Sequence, residues 1–273
     1  MNFALARLEA RSVIRARWFF ASIVLSALLV GFFLVVAARE SSVLGFTGFG
    51  KVMAGVVQAS LLLVPLLALA STAQAVTAAR QAGVLEWYMS QPVSRNACFG
   101  ALFFPRLAAL VLPVVVSLLG LAGAAAALGQ PVPIGLVLTF LGVLVGQALA
   151  FGALGMWVST LARAPEQALL GAVAVWMGAA ILVDFVLLGV LLRWDLPPMM
   201  VFLLAGLNPM QDGRIAVLAA VDPQLGVLGP VGTWAVATLG APATLAITVG
   251  WPLVLALVFS LLARRTFARR DVL

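Results

Sequence analysis

Six times along this chain an apolar run of about 20 residues or more passes with hardly a charge inside it. The runs lie at about 18–38, 52–79, 99–128, 132–161, 166–192 and 243–263. A helix of about 20 residues rises far enough to cross the ~30 Å hydrocarbon core, and it satisfies its backbone N–H and C=O groups internally, which lipid demands. The pattern predicts an all-α integral membrane protein of six transmembrane helices, folded as a single membrane domain over 1–273. Composition agrees, since 64% of the residues are apolar and 9% are charged, against roughly 25% charged in a soluble domain.

What the chain lacks excludes several chemistries. It has no histidine and a single cysteine, Cys98. That leaves no disulfide framework, no cysteine metal cluster and none of the commonest general base. The acids are scattered, so no catalytic residues, no metal site and no cofactor of its own are expected. A pI of about 11.4 invites a nucleic-acid reading, but the arginines stand at the ends of apolar runs, where they set topology. No nucleic-acid partner is expected; the lipid bilayer is.

Six spans bring both termini to one side. Twelve of the sixteen cationic residues belong to segments on that side, and Arg39, Lys51, Arg193 and Arg214 to the other. By the positive-inside bias the termini are cytoplasmic, in the inner membrane. The first run ends in VVAARESS, small residues before a polar stretch as at a signal-peptide cleavage site, but it is too long for one and reads as a retained anchor. Ahead of it, residues 2–16 set Phe3, Leu5, Leu8 and Ile14 among Arg7, Glu9, Arg11 and Arg15, the pattern of an amphipathic helix on the inner membrane surface.

The longest segment outside the spans, 193–242, falls on the outer face. Within it Asn208 is placed to cap a helix, Pro209 to open it, Gln211 to complete a capping box and Asp222-Pro223 to end it. MMVFLLAGL, 199–207, is too short to span and is expected to dip into the outer leaflet or pack on the bundle. The stretch GFTGFGKV, 45–52, comes close to a phosphate-binding loop, but Val52 stands where a Ser or Thr must hold magnesium. A glycine-rich turn into the second span is the better reading.

Inside the spans, Pro65, Pro105, Pro113 and Pro252 are expected to kink their helices. Gly142 and Gly146, continued by Gly152 and Gly155, permit close helix approach, within one subunit or between two. Asp184 is the conspicuous intramembrane acid, a candidate either for function or for a structural pairing with arginine. The most anomalous segment is LEWYMSQPVSRNACFG, 85–100, where Glu86, Gln91, Ser94, Arg95 and Asn96 crowd beside Trp87 and Tyr88. It reads either as a docking helix, with Trp87, Tyr88 and Arg95 as its anchors, or as an interfacial loop in the aromatic belt.

The surface helix, the six spans, SQPVSR at 90–95, NPMQDGR at 208–214 and the terminal RRTFARRDVL together resemble the permease subunits of type-2 ABC transporters. LGFTGFG at 44–50, VPLLAL at 64–69, VDFVLLGVLL at 183–192 and LNPMQDGR at 207–214 look most like the NosY-type permeases of the nitrous oxide reductase maturation system. The resemblance implies an elbow helix at 2–16 and a cytoplasmic coupling helix at 82–95, between the second and third spans. It implies two permease copies in a homodimer, and a separate ATPase subunit, carrying ATP and Mg, docked on Glu86, Trp87, Tyr88 and Arg95. For the NosY type it further implies a periplasmic β-helical protein acting in copper-site maturation, with Asn208, Pro209, Asp212 and Arg214 matching the outer motif that meets it. The chain departs from such relatives before the coupling helix, where TAARQAGVLEW keeps Gly83 and Glu86 in place of an acidic cluster and a Gly-Thr. Three other functions remain open at this point: a generic type-2 exporter of lipid, peptide or drug, an ATP-independent transporter or channel using Asp184, and a passive membrane anchor.

Overall fold

In the computed structural model residues 3–40, 48–193 and 196–269 are described. They contain helices and no strand. The chain begins with a short helix α1, Phe3–Ile14, followed by α2, Arg17–Glu40. After them come α3, Gly48–Ala73, α4, Ala75–Gln81, and α5, Val84–Met89. The long α6, Arg95–Ala127, and α7, Ile134–Leu161, form the middle of the chain. Beyond these lie α8, Pro165–Met177, a π-helical turn at Gly178–Leu182, and α9, Val183–Arg193. Three short helices α10, Pro198–Gly206, α11, Pro209–Val221, and α12, Gly229–Leu239, precede the last long one, α13, Ala241–Arg269.

Five helical stretches are long and apolar enough to cross a membrane, and a sixth if α1 and α2 count as one bent pair. That pair turns through 53° at its break. Polar Arg7, Glu9 and Arg11 set α1 apart from the apolar helix it leads into. The glycine-rich stretch expected at 45–52 falls partly outside the described residues, and α3 starts within it at Gly48.

The long helices alternate in direction, so the molecule has two ends. The basal end carries α1, α5, the first turn of α6 and the last turns of α13; the distal end carries the 128–133 turn and α12. The expected second span is one helical run, Met53–Gln81, with an irregular turn at Gln74 between α3 and α4 where the Val76 N–H is taken up by Ser159 Oγ of α7 at 2.9 Å.

Helix α7 is the hub, packing on α13, α3, α6 and α11. The glycine stripe is the reason it can. A Cβ on Gly142 would lie 2.9 Å from Val249 Cγ1, and one on Gly146 would lie 3.3 Å from Pro252 Cβ, both on α13. On the other faces, a Cβ at Gly155 would collide with Thr72 Oγ1 and one at Gly152 would come within 2.6 Å of Leu107 Cδ2. These close approaches are made inside one subunit, which resolves the alternative that composition leaves open.

The segment between the fifth and last long helices folds back into the bundle. Helix α10 has nine residues, a rise of about 14 Å, so it reaches roughly half-way through a hydrocarbon core and no further. The chain turns at 207–208 and leaves again as α11, which packs on α7, α13 and α3. The tip is level with the middle of its neighbours. Asn208 Nδ2 donates to Ala179 O at 2.6 Å, and Gln147 Nε2 donates to Pro209 O. Ala179 and Gln147 each stand near the centre of a long helical run. The re-entrant hairpin has room because Gly213 faces Gln147 and Leu61 without a side chain.

Candidate functional site

Two polar clusters interrupt the apolar packing. The first is basal and grows from α5. Gly83, with φ of 69°, provides the left-handed turn that lets α5 start after α4. The six residues of α5 divide by periodicity: Leu85 and Tyr88 are buried in the bundle, whereas Glu86 and Trp87 face outward. Trp87 is 53% exposed, and an indole, apolar with one polar N–H, suits a membrane interface or a partner's surface in that position. Ser94 then caps α6, accepting from the Ala97 N–H at 3.3 Å.

Tyr88, beside Trp87 on the helix, turns inward to the bundle. Its hydroxyl donates to Glu9 Oε1 on α1 at 2.7 Å, and Arg106 Nη1 of α6 donates to Glu9 Oε2 at 3.2 Å. Arg106 also donates to Leu102 O at 2.7 Å, beside the proline-containing turn at Pro105. Both charged side chains are nearly enclosed, with 8% of Glu9 and 14% of Arg106 exposed. Burial first, then the hydrogen bond to Glu9 and its charge, push the Tyr88 phenol well above its ordinary pKa. One carboxylate thus ties three elements together: α1, α5 and α6.

Tyr88 is therefore not an outward anchor, because its ring fills the apolar cluster under α5 and its hydroxyl is occupied. Arg95 is exposed but engaged, its Nη1 donating to Ala268 O at 3.2 Å, so that it helps close the C-terminal end of α13. Asn96 Oδ1 accepts from Arg264 Nε at 3.2 Å alongside it. Of the four residues proposed for docking, Glu86 and Trp87 form the outward face.

The second cluster joins the hairpin to α9. Asp184 Oδ2 accepts from Arg214 Nη1 at 2.6 Å, and its Oδ1 accepts from Gln211 Nε2. Both donors come from α11 and stand one turn apart. Gln211 is thus used across helices and not for a capping box. Asn208 does cap α11, accepting from the Met210 N–H at 3.1 Å. The four residues expected to meet an outer partner do not form a surface: Asn208, Pro209 and Asp212 are buried and Arg214 is turned to Asp184. Their inward direction follows from the hairpin, whose first helical turn is its deepest part. Two buried oxygens in this region, Gln147 Oε1 and Asp212 Oδ2, have no hydrogen-bond partner among the described residues, an arrangement uncommon enough to mark the seat of the hairpin as specialised. Among the described residues no group of three or more Cys, His, Asp or Glu side chains is arranged to hold a metal.

The chain matches the family model of the ABC-2 family transporter protein over residues 3–272. It belongs to that family. Among curated proteins none matches it.

Proposed function

We propose that this ABC-2 family permease works as one of two membrane-embedded copies driven by a separate ATPase subunit that docks on α5. The observation that carries the reading is the two-sidedness of that helix: Trp87 and Glu86 are presented at the basal end while Leu85 and Tyr88 root the helix in the bundle. An exposed indole beside a carboxylate, on a helix with its own apolar root, is suited to a partner's groove. ATP and Mg belong to the partner. On this reading the basal end and both termini are cytoplasmic, in agreement with the arginine bias, and the chain sits in the inner membrane as a non-catalytic subunit.

The cargo reading is narrower. Two of the four sequence stretches shared with NosY-type permeases, VDFVLLGVLL and LNPMQDGR, meet physically through Asp184, Gln211 and Arg214. That interlock supports treating them as one working unit. We assign the chain accordingly to copper-site maturation of nitrous oxide reductase, with a β-helical protein on the distal side. With the outer motif turned inward, that partner has to be met by the distal turns and α12. The geometry disfavours an ATP-independent transporter built on Asp184, since both of its carboxylate oxygens already receive donors.

Purifying the tagged protein from its native membranes in mild detergent, and identifying the chains that accompany it by mass spectrometry, tests both levels. An ATPase with a β-helical or copper-handling protein is the expected result. An ATPase alone would keep the transporter and return the cargo to lipid, peptide or drug; its absence would overturn the reading. Glu86→Lys combined with Trp87→Ala is expected to lose the ATPase while the permease stays inserted.

A further inference from the structure

We propose that Glu9 is the joint through which movement of α5 reaches the first long helix, with Tyr88 as the link and Arg106 as the fixed bearing. The inference rests on the docking of an ATPase at α5. Trp87 and Tyr88 are consecutive residues whose rings lie 5.5 Å apart between centroids, one facing outward and the other reaching Glu9. A push on the outer ring therefore arrives at the inner one within the same rigid turn.

Glu9 can pass the displacement on because it belongs to a separate element. Helix α1 is joined to α2 across a break with a 53° bend, so a shift of α1 becomes a tilt of α2. Most of the contact that α1 makes with the bundle is with α6, and there Arg106 holds the second oxygen of the same carboxylate. That oxygen is the pivot. The two bonds have different roles: the one from Tyr88 couples α1 to the docking helix, and the one from Arg106 keeps α1 seated whether or not α5 moves. A buried carboxylate bonded by two elements has discrete arrangements available to it and no continuous range, because either donor leaving it exposes an unmet charge.

Tyr88 is a positioning residue in this scheme, and its effect is separable from stability. Tyr88→Phe keeps the ring in its apolar socket and leaves the Arg106–Glu9 pair intact, so the helix stays docked and the fold stays closed. The experiment uses the permease–ATPase complex in lipid nanodiscs with spin labels at Leu8→Cys on α1 and Glu166→Cys at the start of α8. Both positions are exposed, whereas native Cys98 is buried and escapes labelling. Addition of ATP with vanadate is expected to shift the distance distribution in the otherwise wild-type complex. In Tyr88→Phe that shift is lost although the ATPase still co-purifies. The same shift in Tyr88→Phe as in its parent would overturn the link and leave α5 docking standing. A parent complex that contains no ATPase would overturn the docking reading and the link with it.

Discussion

Glu9 and Asp184 are held by the same chemistry, yet they do different mechanical work. Each carboxylate gives one oxygen to an arginine and the other to a neutral donor: Arg106 and Tyr88 for Glu9, Arg214 and Gln211 for Asp184. The donors to Asp184 are three positions apart on one helix, so that cluster staples two bodies and stops. The donors to Glu9 come from two different elements, separated from it by 79 and 97 positions. A carboxylate with donors on one helix is a rivet; with donors on two it is a joint. Exposure differs in parallel, because 38% of the Asp184 side chain is open against 8% of Glu9.

The sharpest way to break this comparison is to remove each carboxylate in turn. Glu9→Ala leaves the enclosed Arg106 without its counter-charge and is expected to cost about 3–5 kcal/mol, the usual penalty for an orphaned buried charge. Asp184→Ala leaves Arg214 in a pair whose carboxylate was itself 38% open to solvent, so the arginine can turn towards water and the expected cost is less, about 1–2 kcal/mol. Thermal unfolding in one detergent measures both. Pairing Glu9→Ala with Arg106→Met should recover most of the loss, since the double variant has no stranded charge. Equal losses at the two sites would erase the distinction between rivet and joint.

Gly213→Ala probes the hairpin without touching a charge. The added Cβ would stand 2.6 Å from Gln147 Nε2 and 2.7 Å from Leu61 Cδ2, closer than real Cβ atoms approach, so those side-chain ends have to give way and Gln147 is pushed from its bond to the hairpin tip. Overpacking of this kind costs about 1–3 kcal/mol. The expected signature is a lowered unfolding temperature together with earlier protease cutting between α10 and α12, while ATPase co-purification is kept. Loss of the ATPase in this variant would mean that the hairpin and the basal end are not separable.

Much of this architecture is legible in the sequence, and the two clusters mark where legibility ends. Apolar length and arginine placement announce the long helices, and Asn208-Pro209 announces the start of α11, because both signals are local. A candidate arginine partner for Asp184 is also within reach of sequence reasoning, since four cationic residues are expected on its side. The hairpin's depth is not, and for that reason Asn208, Pro209 and Asp212 read as surface when they are its buried tip. The Glu9 joint leaves only faint traces: an acid in a basic surface helix, the single tyrosine of the chain, and an arginine a few residues inside an apolar run. Each is odd by itself. Nothing in the spacing says that they meet.

A smaller effect is expected at Gly83. No atom lies within 4 Å of a Cβ added there, but its φ of 69° penalises any L side chain, by about 1 kcal/mol. Gly83→Ala should therefore loosen the entry to α5 without a clash. Weakened ATPase co-purification with an almost unchanged unfolding temperature would separate docking geometry from global stability, opposite in pattern to Gly213→Ala.

The smallest and most selective change is a titration. Tyr88 is the chain's only tyrosine, so the ultraviolet absorbance of phenolate reports one group. Burial foremost, and then the Glu9 carboxylate, hold this phenol protonated beyond the usual range, whereas in the unfolded chain it ionises near its ordinary pKa of about 10. A phenol with a raised folded-state pKa contributes stability that is complete below about pH 10 and is lost as the pH rises above it. The gap in unfolding temperature between the wild type and Tyr88→Phe should thus be constant from neutrality to about pH 9 and narrow beyond pH 10. The folded protein should show no phenolate over the lower part of that interval. In Glu9→Gln the phenol keeps an acceptor but loses the adjacent charge, and its titration should move down while remaining above that of a free tyrosine, because burial is the larger cause. A phenol that ionises near 10 in the folded wild type would mean that Tyr88 reaches water, and the joint would lose its link.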